Sequence, residues 1–179
     1  MKFTKEIVFV LCDSIAPKYG FEPSLIKALC LQESGKNKDG TFAPDVARLE
    51  QGYYRRYVSD KNELATTSEI LLAASYGVTQ MMGLSLKEIG FFDWYYLQAT
   101  GSKQMFLGSP FSQFNIVAAI DEYCTNAQWQ IEWGCKWLNE KRKLAKGDII
   151  KMLSLWNGDQ SQEHKYANEV LTKQKSIGV

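Results

Sequence analysis

The stretch from Leu25 to Gly35, Leu-Ile-Lys-Ala-Leu-Cys-Leu-Gln-Glu-Ser-Gly, constrains this chain more than any other. Ile26, Leu29, Cys30 and Glu33 recur at helical spacing and therefore share one face of a helix. Pro23 suits the first helical position and Gly35 the residue just past the end. Glu33 thus stands where an apolar stripe meets a helix C-terminus. Desolvation and the negative end of the helix dipole both disfavour an ionised carboxylate there. A carboxylic acid that keeps its proton near neutral pH can serve as a general acid. The alternative is a solvated Glu on the polar edge of the helix, the commoner setting for this residue type.

A chain of 179 residues with 45% apolar content reads as a single domain, 1-179, with a core of its own. Its formal charge of +1 supplies no basic field and argues against nucleic acid as the main partner. Five Trp and nine Tyr are generous for this length. Such side chains fill cores or line sugar-binding grooves, and packing takes most of them. Cys12, Cys30, Cys124 and Cys135 lack metal-type spacing and sit among apolar neighbours. They read as small buried hydrophobes made in a reducing compartment. The apolar run Ile7 to Cys12 is too short for a signal peptide, and Glu6 and Asp13 flank it. It reads instead as a first helix capped by Thr4, with Ile7, Val8, Leu11 and Ile15 on one face. No stretch is long enough to span a membrane. The expectation is a monomer synthesised in the cytoplasm, with no membrane insertion and no separate wall-binding domain.

In chain order, the first helix covers about Thr4 to Ala16, and Pro17 to Gly20 breaks it. The second is about Pro23 to Ser34. Between Lys36 and Asp60 the pattern is irregular, and either a short hairpin or an aromatic helix from Glu50 to Val58 fits part of it. A helix follows from Glu63 to Ala74, with Ile70, Leu71 and Ala74 on one side, then a helix-to-loop junction from Ser75 to Gly83. Ser85-Leu-Lys-Glu88 has the form of a capping box. Further helices are expected within Phe91 to Leu107, from Phe111 to Cys124 with Phe114, Val117, Ala118 and Ile120 inward, and from Ile131 to Leu144. Two more run from Ile149 to Leu155 behind an Asp148 cap and from Glu163 to Gln174. The fold class is mainly α, with at most a small β-hairpin.

The chemistry narrows by elimination. His164 is the only histidine and sits in a polar setting that reads as surface. There is no Gly-x-Ser-x-Gly, no His-Glu-x-x-His, no Cys-x-x-Cys, no Walker loop and no Gly-x-Gly-x-x-Gly. An enzyme built from this chain works with carboxylates and aromatic side chains, a profile that fits glycoside cleavage.

Five motifs in order carry a resemblance. Glu33-Ser34-Gly35 after an apolar helix resembles the Glu-Ser motif of the lytic transglycosylase and goose-type lysozyme superfamily. Gly77-Val-Thr-Gln80-Met-Met is similar to that family's Gly-Leu-Met-Gln-Ile segment. The wider Ser75-Tyr-Gly-Val-Thr-Gln-Met-Met-Gly83 resembles the Ser-Trp-Gly-x-x-Gln-x-Met-Gly of phage N-acetylmuramidase endolysins. Gln130-Ile-Glu-Trp-Gly134-Cys-Lys-Trp-Leu138 is similar to the Asn-Ile-x-x-Gly-x-x-Tyr-Leu helix. Leu155-Trp-Asn157-Gly158 resembles the Tyr-Asn-x-Gly turn, and Tyr166 begins a Tyr-x-x-x-Val element.

The resemblance implies a lysozyme-like helical domain that cleaves the β-1,4 bond between N-acetylmuramic acid and N-acetylglucosamine. Peptidoglycan glycan strands are the implied partner, and no cofactor is implied. Glu33 would be the acid and then the base, with Ser75, Gln80, Met82, Trp156, Asn157 and Tyr166 binding substrate. The chain departs from the pattern at Thr79, where Met is usual, and at Trp156, where Tyr is usual and a hydroxyl hydrogen bond to the acid would be lost. Arg48-Leu-Glu50-Gln-Gly-Tyr-Tyr-Arg-Arg56 resembles a phage muramidase segment without its Pro-His. That favours a phage or prophage lysin that reaches the wall after release or within a particle. It also keeps a hydrolysing muramidase open, with Glu50, Asp39 or Asp45 as second acid. A wall-binding or phage structural module without activity is the alternative of another class.

Overall fold

A computed structural model describes residues 3–34, 47–49, 67–100, 113–158 and 163–177. The described residues form nine α-helices and a three-stranded antiparallel sheet. In chain order they are α1 (Lys5–Ile15), a 3-10 turn (Ala16–Tyr19), α2 (Pro23–Glu33), β1 (Arg48–Leu49), α3 (Thr67–Leu72), β2 (Ala74–Tyr76) and β3 (Met81–Met82). There follow α4 (Gly83–Glu88), α5 (Phe91–Thr100), α6 (Gln113–Thr125), α7 (Ala127–Leu144), α8 (Ile149–Asn157) and α9 (Lys165–Ile177).

Local chemistry explains most boundaries. Thr4 Oγ1 accepts from Ile7 N at 3.4 Å, as its reading as a cap predicts. Asn126 Oδ1 accepts from Trp129 N at 3.0 Å and starts α7 four residues before the expected Ile131. Asp148 Oδ1 accepts from Lys151 N at 3.0 Å and starts α8 where expected. Gly158 closes α8 in the left-handed region, at φ 75.

Two buried clusters share α7 between them. The first joins α1, α2, α8, α9 and Val78 to the α7 face carrying Ile131, Cys135 and Leu138. α9 lies along α2 in the most extensive helix pairing among the described residues. The second cluster is aromatic. Phe91 meets Phe92, Tyr123 and Trp133 edge-on at ring-centroid distances of 5.4, 5.2 and 5.3 Å. Here the packing reading of the aromatic residues holds.

Several expectations shift. Ile7 is exposed, and Val8, Cys12 and Ile15 form the buried face of α1. In α6 the inward face is Ile116, Ala119, Ile120 and Tyr123, while Val117 and Ala118 point outward. The Ser75–Gly83 junction is a hairpin instead. β2 pairs with β3 through Ser75↔Met82 and Tyr76↔Met81, and β1 joins through Arg48↔Ser75 and Leu49↔Ala74. The extended piece expected between Lys36 and Asp60 is thus present at Arg48–Leu49, and the rest of that segment lies outside the described residues. The capping box at Ser85 is not used, because α4 already begins at Gly83.

Gly83 marks a backbone contact. A Cβ added there would stand 2.4 Å from Leu71 O and 2.9 Å from Leu72 Cα, atoms that cannot swing aside. We expect Gly83→Ala to lower stability by about 2 kcal/mol, as overpacking does. Urea unfolding checks this, and an unchanged midpoint would refute it. No helix among the described residues is long and apolar enough to cross a membrane.

Candidate active site

Glu33 is the last residue of α2, and its helix presents Ile26, Leu29 and Cys30 to the core at no more than 1% exposure. Ser34 terminates the helix in an extended conformation. Its backbone N–H and its Oγ both donate to Cys30 O, at 3.0 and 2.6 Å. The chain therefore leaves the helix at Ser34, and Glu33 remains half-buried above the apolar face.

Two donors from two other helices converge on Glu33. The Trp156 indole Nε1, in the last turn of α8, donates to Glu33 Oε1 at 3.0 Å. The Tyr166 hydroxyl, in the first turn of α9, donates to the same oxygen. Burial, then the negative charge of Glu33 and the hydrogen bond to it, push the Tyr166 phenol far above the ordinary tyrosine value. Tyr166 therefore stays a protonated donor. Both bonds favour negative charge on Oε1 and so oppose the desolvation expected from the helix alone. With Oε1 already accepting two hydrogens, a proton on this carboxyl group belongs on Oε2.

The hydroxyl is absent at position 156, as expected, but its residue still reaches Glu33. The donor is the Trp156 indole N–H, which holds the Glu33 carboxylate without a hydroxyl. α2 and α9 are further tied by Gln32, whose Nε2 donates to Glu169 Oε2 at 2.8 Å and whose Oε1 accepts from Lys173 Nζ at 2.6 Å. Behind the acid, Cys30 is fully buried. A hydrogen bond with Cys12, then burial, raises its thiol well above the ordinary value. Cys135 is raised too, chiefly by burial. All four cysteines are free thiols, and Cys30 and Cys135 stay protonated, so they are poor nucleophiles.

The other expected site residues fall into two groups. Ser75 is buried in β2, Met82 is half-buried in β3, and Gln80 ends the turn between them at φ 47. The Gln80 amide Nε2 donates to Gly77 O at 2.7 Å. This turn is seated on α7. Gln130 Oε1 accepts from Val78 N at 2.8 Å, and Thr79 Oγ1 donates to Gln130 O at 3.2 Å. A Cβ on Gly134 would come within 2.9 Å of Thr79 Cγ2, so Gly134 makes room for the Thr79 side chain. Asn157 is exposed at the end of α8, and no hydrogen bond among the described residues joins it to Glu33. Arg48 is exposed on β1. Asp39, Asp45 and Glu50 lie outside the described residues.

His164 is not the plain surface residue its setting suggests. It is half-buried, and its Nδ1 lies 3.0 Å from Ser154 Oγ. The sequence reading also misses Gln130 as an organiser of the turn. Its signal is a Gln on a helix face that otherwise carries Ala127, Ile131 and Gly134. Among the described residues no group of three or more His, Cys, Asp and Glu side chains is arranged to hold a metal ion. Comparison with family models, with curated proteins and with solved structures finds no match to this chain.

Proposed function

We propose that this protein is a lysozyme-like enzyme of the lytic transglycosylase type that cleaves peptidoglycan glycan strands. The observation that carries the reading is the carboxyl group of Glu33, held on one oxygen by Trp156 and Tyr166. Fixing Oε1 fixes the direction in which Oε2 is presented, as a proton donor to a glycosidic oxygen needs.

The steps then follow. Glu33 gives its proton to the leaving oxygen as the C1–O bond of the N-acetylmuramic residue breaks. The substrate's own acetamido group stabilises the positive charge at C1, so a second enzyme carboxylate is not required. The Glu33 carboxylate next takes the proton of the C6 hydroxyl as O6 attacks C1. The product carries a 1,6-anhydro ring, and Glu33 is again protonated. Ser75, Gln80, Met82 and Asn157 contribute to the glycan groove in this reading. A phage or prophage lysin delivered to the wall on lysis or in a particle is the biological setting it fits.

The test is the mass of the products released from purified peptidoglycan. Fragments one water lighter than hydrolysis products are expected. Reducing ends would make the protein a hydrolysing muramidase, with Asp39, Asp45 or Glu50 as the second acid. No release by folded protein would overturn the enzyme reading and favour a wall-binding or structural module.

A further inference from the structure

Helices α8 and α9 are cross-linked twice, at matching positions. Trp156 and Tyr166 meet on Glu33 Oε1. Two residues earlier on each strand of chain, Ser154 Oγ and His164 Nδ1 lie 3.0 Å apart. Ser154 is buried, at 5% exposure, and His164 is half-buried. His164 also has an unusual backbone. It precedes the first residue of α9 with φ 47, in the left-handed region, and its carbonyl accepts from Asn168 N at 3.0 Å to open the helix. A side chain other than Gly is uncommon there and costs free energy that only the surrounding contacts offset. Gly would relieve that cost but would give up the bond to Ser154.

We propose that His164 is a positioning residue, which clasps Ser154 so that the Trp156 N–H and the Tyr166 O–H reach the same carboxylate oxygen. The lever is short. Trp156 lies half a helical turn beyond Ser154, and Tyr166 half a turn beyond His164. Freeing α9 at its start lets the phenol drift from Glu33 Oε1 and, because the indole shares that oxygen, lengthens the Trp156 bond as well. The clasp touches neither the acid nor the substrate and acts through the two donors alone.

The test uses the full chain labelled with 15N, and it reads the indole N–H resonances of its five Trp. Trp156→Phe identifies the signal of Trp156, which is expected downfield because its N–H is bonded to a carboxylate. His164→Gly is the safe variant, because Gly adopts the left-handed backbone without strain. Ser154→Ala leaves His164 in place and removes its partner. Both variants are expected to move the Trp156 signal upfield and leave the other four unmoved, and the double variant is expected to add nothing further. An unmoved Trp156 signal in either single variant overturns the proposal: in His164→Gly it would mean that the backbone turn alone sets the geometry. Glycan cleavage supplies a second readout that rests on the proposed function. There kcat falls about tenfold with KM unchanged, as expected for loss of about one hydrogen bond acting on the acid. A protein without cleavage activity would remove only that second readout, since the resonance reports the clasp whatever the protein acts on.

Discussion

Glu33→Gln is expected to yield a folded protein whose glycan cleavage falls by about two to four orders of magnitude, the usual weight of a general acid. The amide has nearly the shape of the carboxylate, and its oxygen still accepts from Trp156 Nε1 and the Tyr166 hydroxyl. Stability should therefore change by less than about 1 kcal/mol, because the Trp156 and Tyr166 donors both keep an acceptor. Glu33→Ala separates the two roles. It removes the acid and also the acceptor shared by a half-buried indole and a buried phenol. That variant should lose activity and also about 2 kcal/mol of stability, the penalty for leaving such donors unpaired. Product release from peptidoglycan and urea unfolding, run on both variants, give the two readouts. Cleavage by Glu33→Gln at the wild-type rate would remove Glu33 from the mechanism.

The helix that carries the acid was legible because its signals are local. Pro23 starts it, and Ile26, Leu29 and Cys30 mark its buried face by spacing alone. The carboxylate's partners were not legible in the same way. Trp156 and Tyr166 arrive from helices far along the chain, and only the tertiary packing of α8 and α9 brings both to one oxygen. An indole is also easily discounted where a phenol is expected, although both end in a hydrogen-bond donor. The place of the β2–β3 hairpin was not legible for another reason. Strands as short as Ala74–Tyr76 and Met81–Met82 carry too few residues for an alternating pattern. In α6, apolar residues occupy both sides at Ile116, Val117 and Ala119. Which side turns inward is decided by the Tyr123 and Phe91 rings it must meet.

Gln130 should prove the most sensitive position away from the acid. Its side chain is fully buried and makes three bonds. Oε1 accepts from Val78 N at 2.8 Å, and Nε2 donates to Tyr123 O at 2.8 Å and Cys124 O at 3.0 Å. One amide thus pins the hairpin turn to the junction between α6 and α7. Gln130→Leu fills similar space but leaves one amide and two carbonyls without these partners. Tyr123 O still accepts from Asn126 N at 3.2 Å, so at about 1–3 kcal/mol for a buried group left unsatisfied the loss should be about 2–4 kcal/mol. Gln130→Glu is the sharper variant. Its carboxylate can still accept from Val78 N, yet it cannot donate to the two carbonyls and would bring a negative charge beside them. It should therefore be no more stable than Gln130→Leu despite its closer shape. Gly77→Ala should act on the same contact from the other side, since its Cβ would stand 2.6 Å from the Gln130 side chain at a backbone φ of 74. Urea unfolding measures all three, and hydrogen exchange at the Val78 amide shows whether the turn opens before the rest of the fold. A Gln130→Leu protein as stable as wild type would mean that water, and not this amide, satisfies the turn.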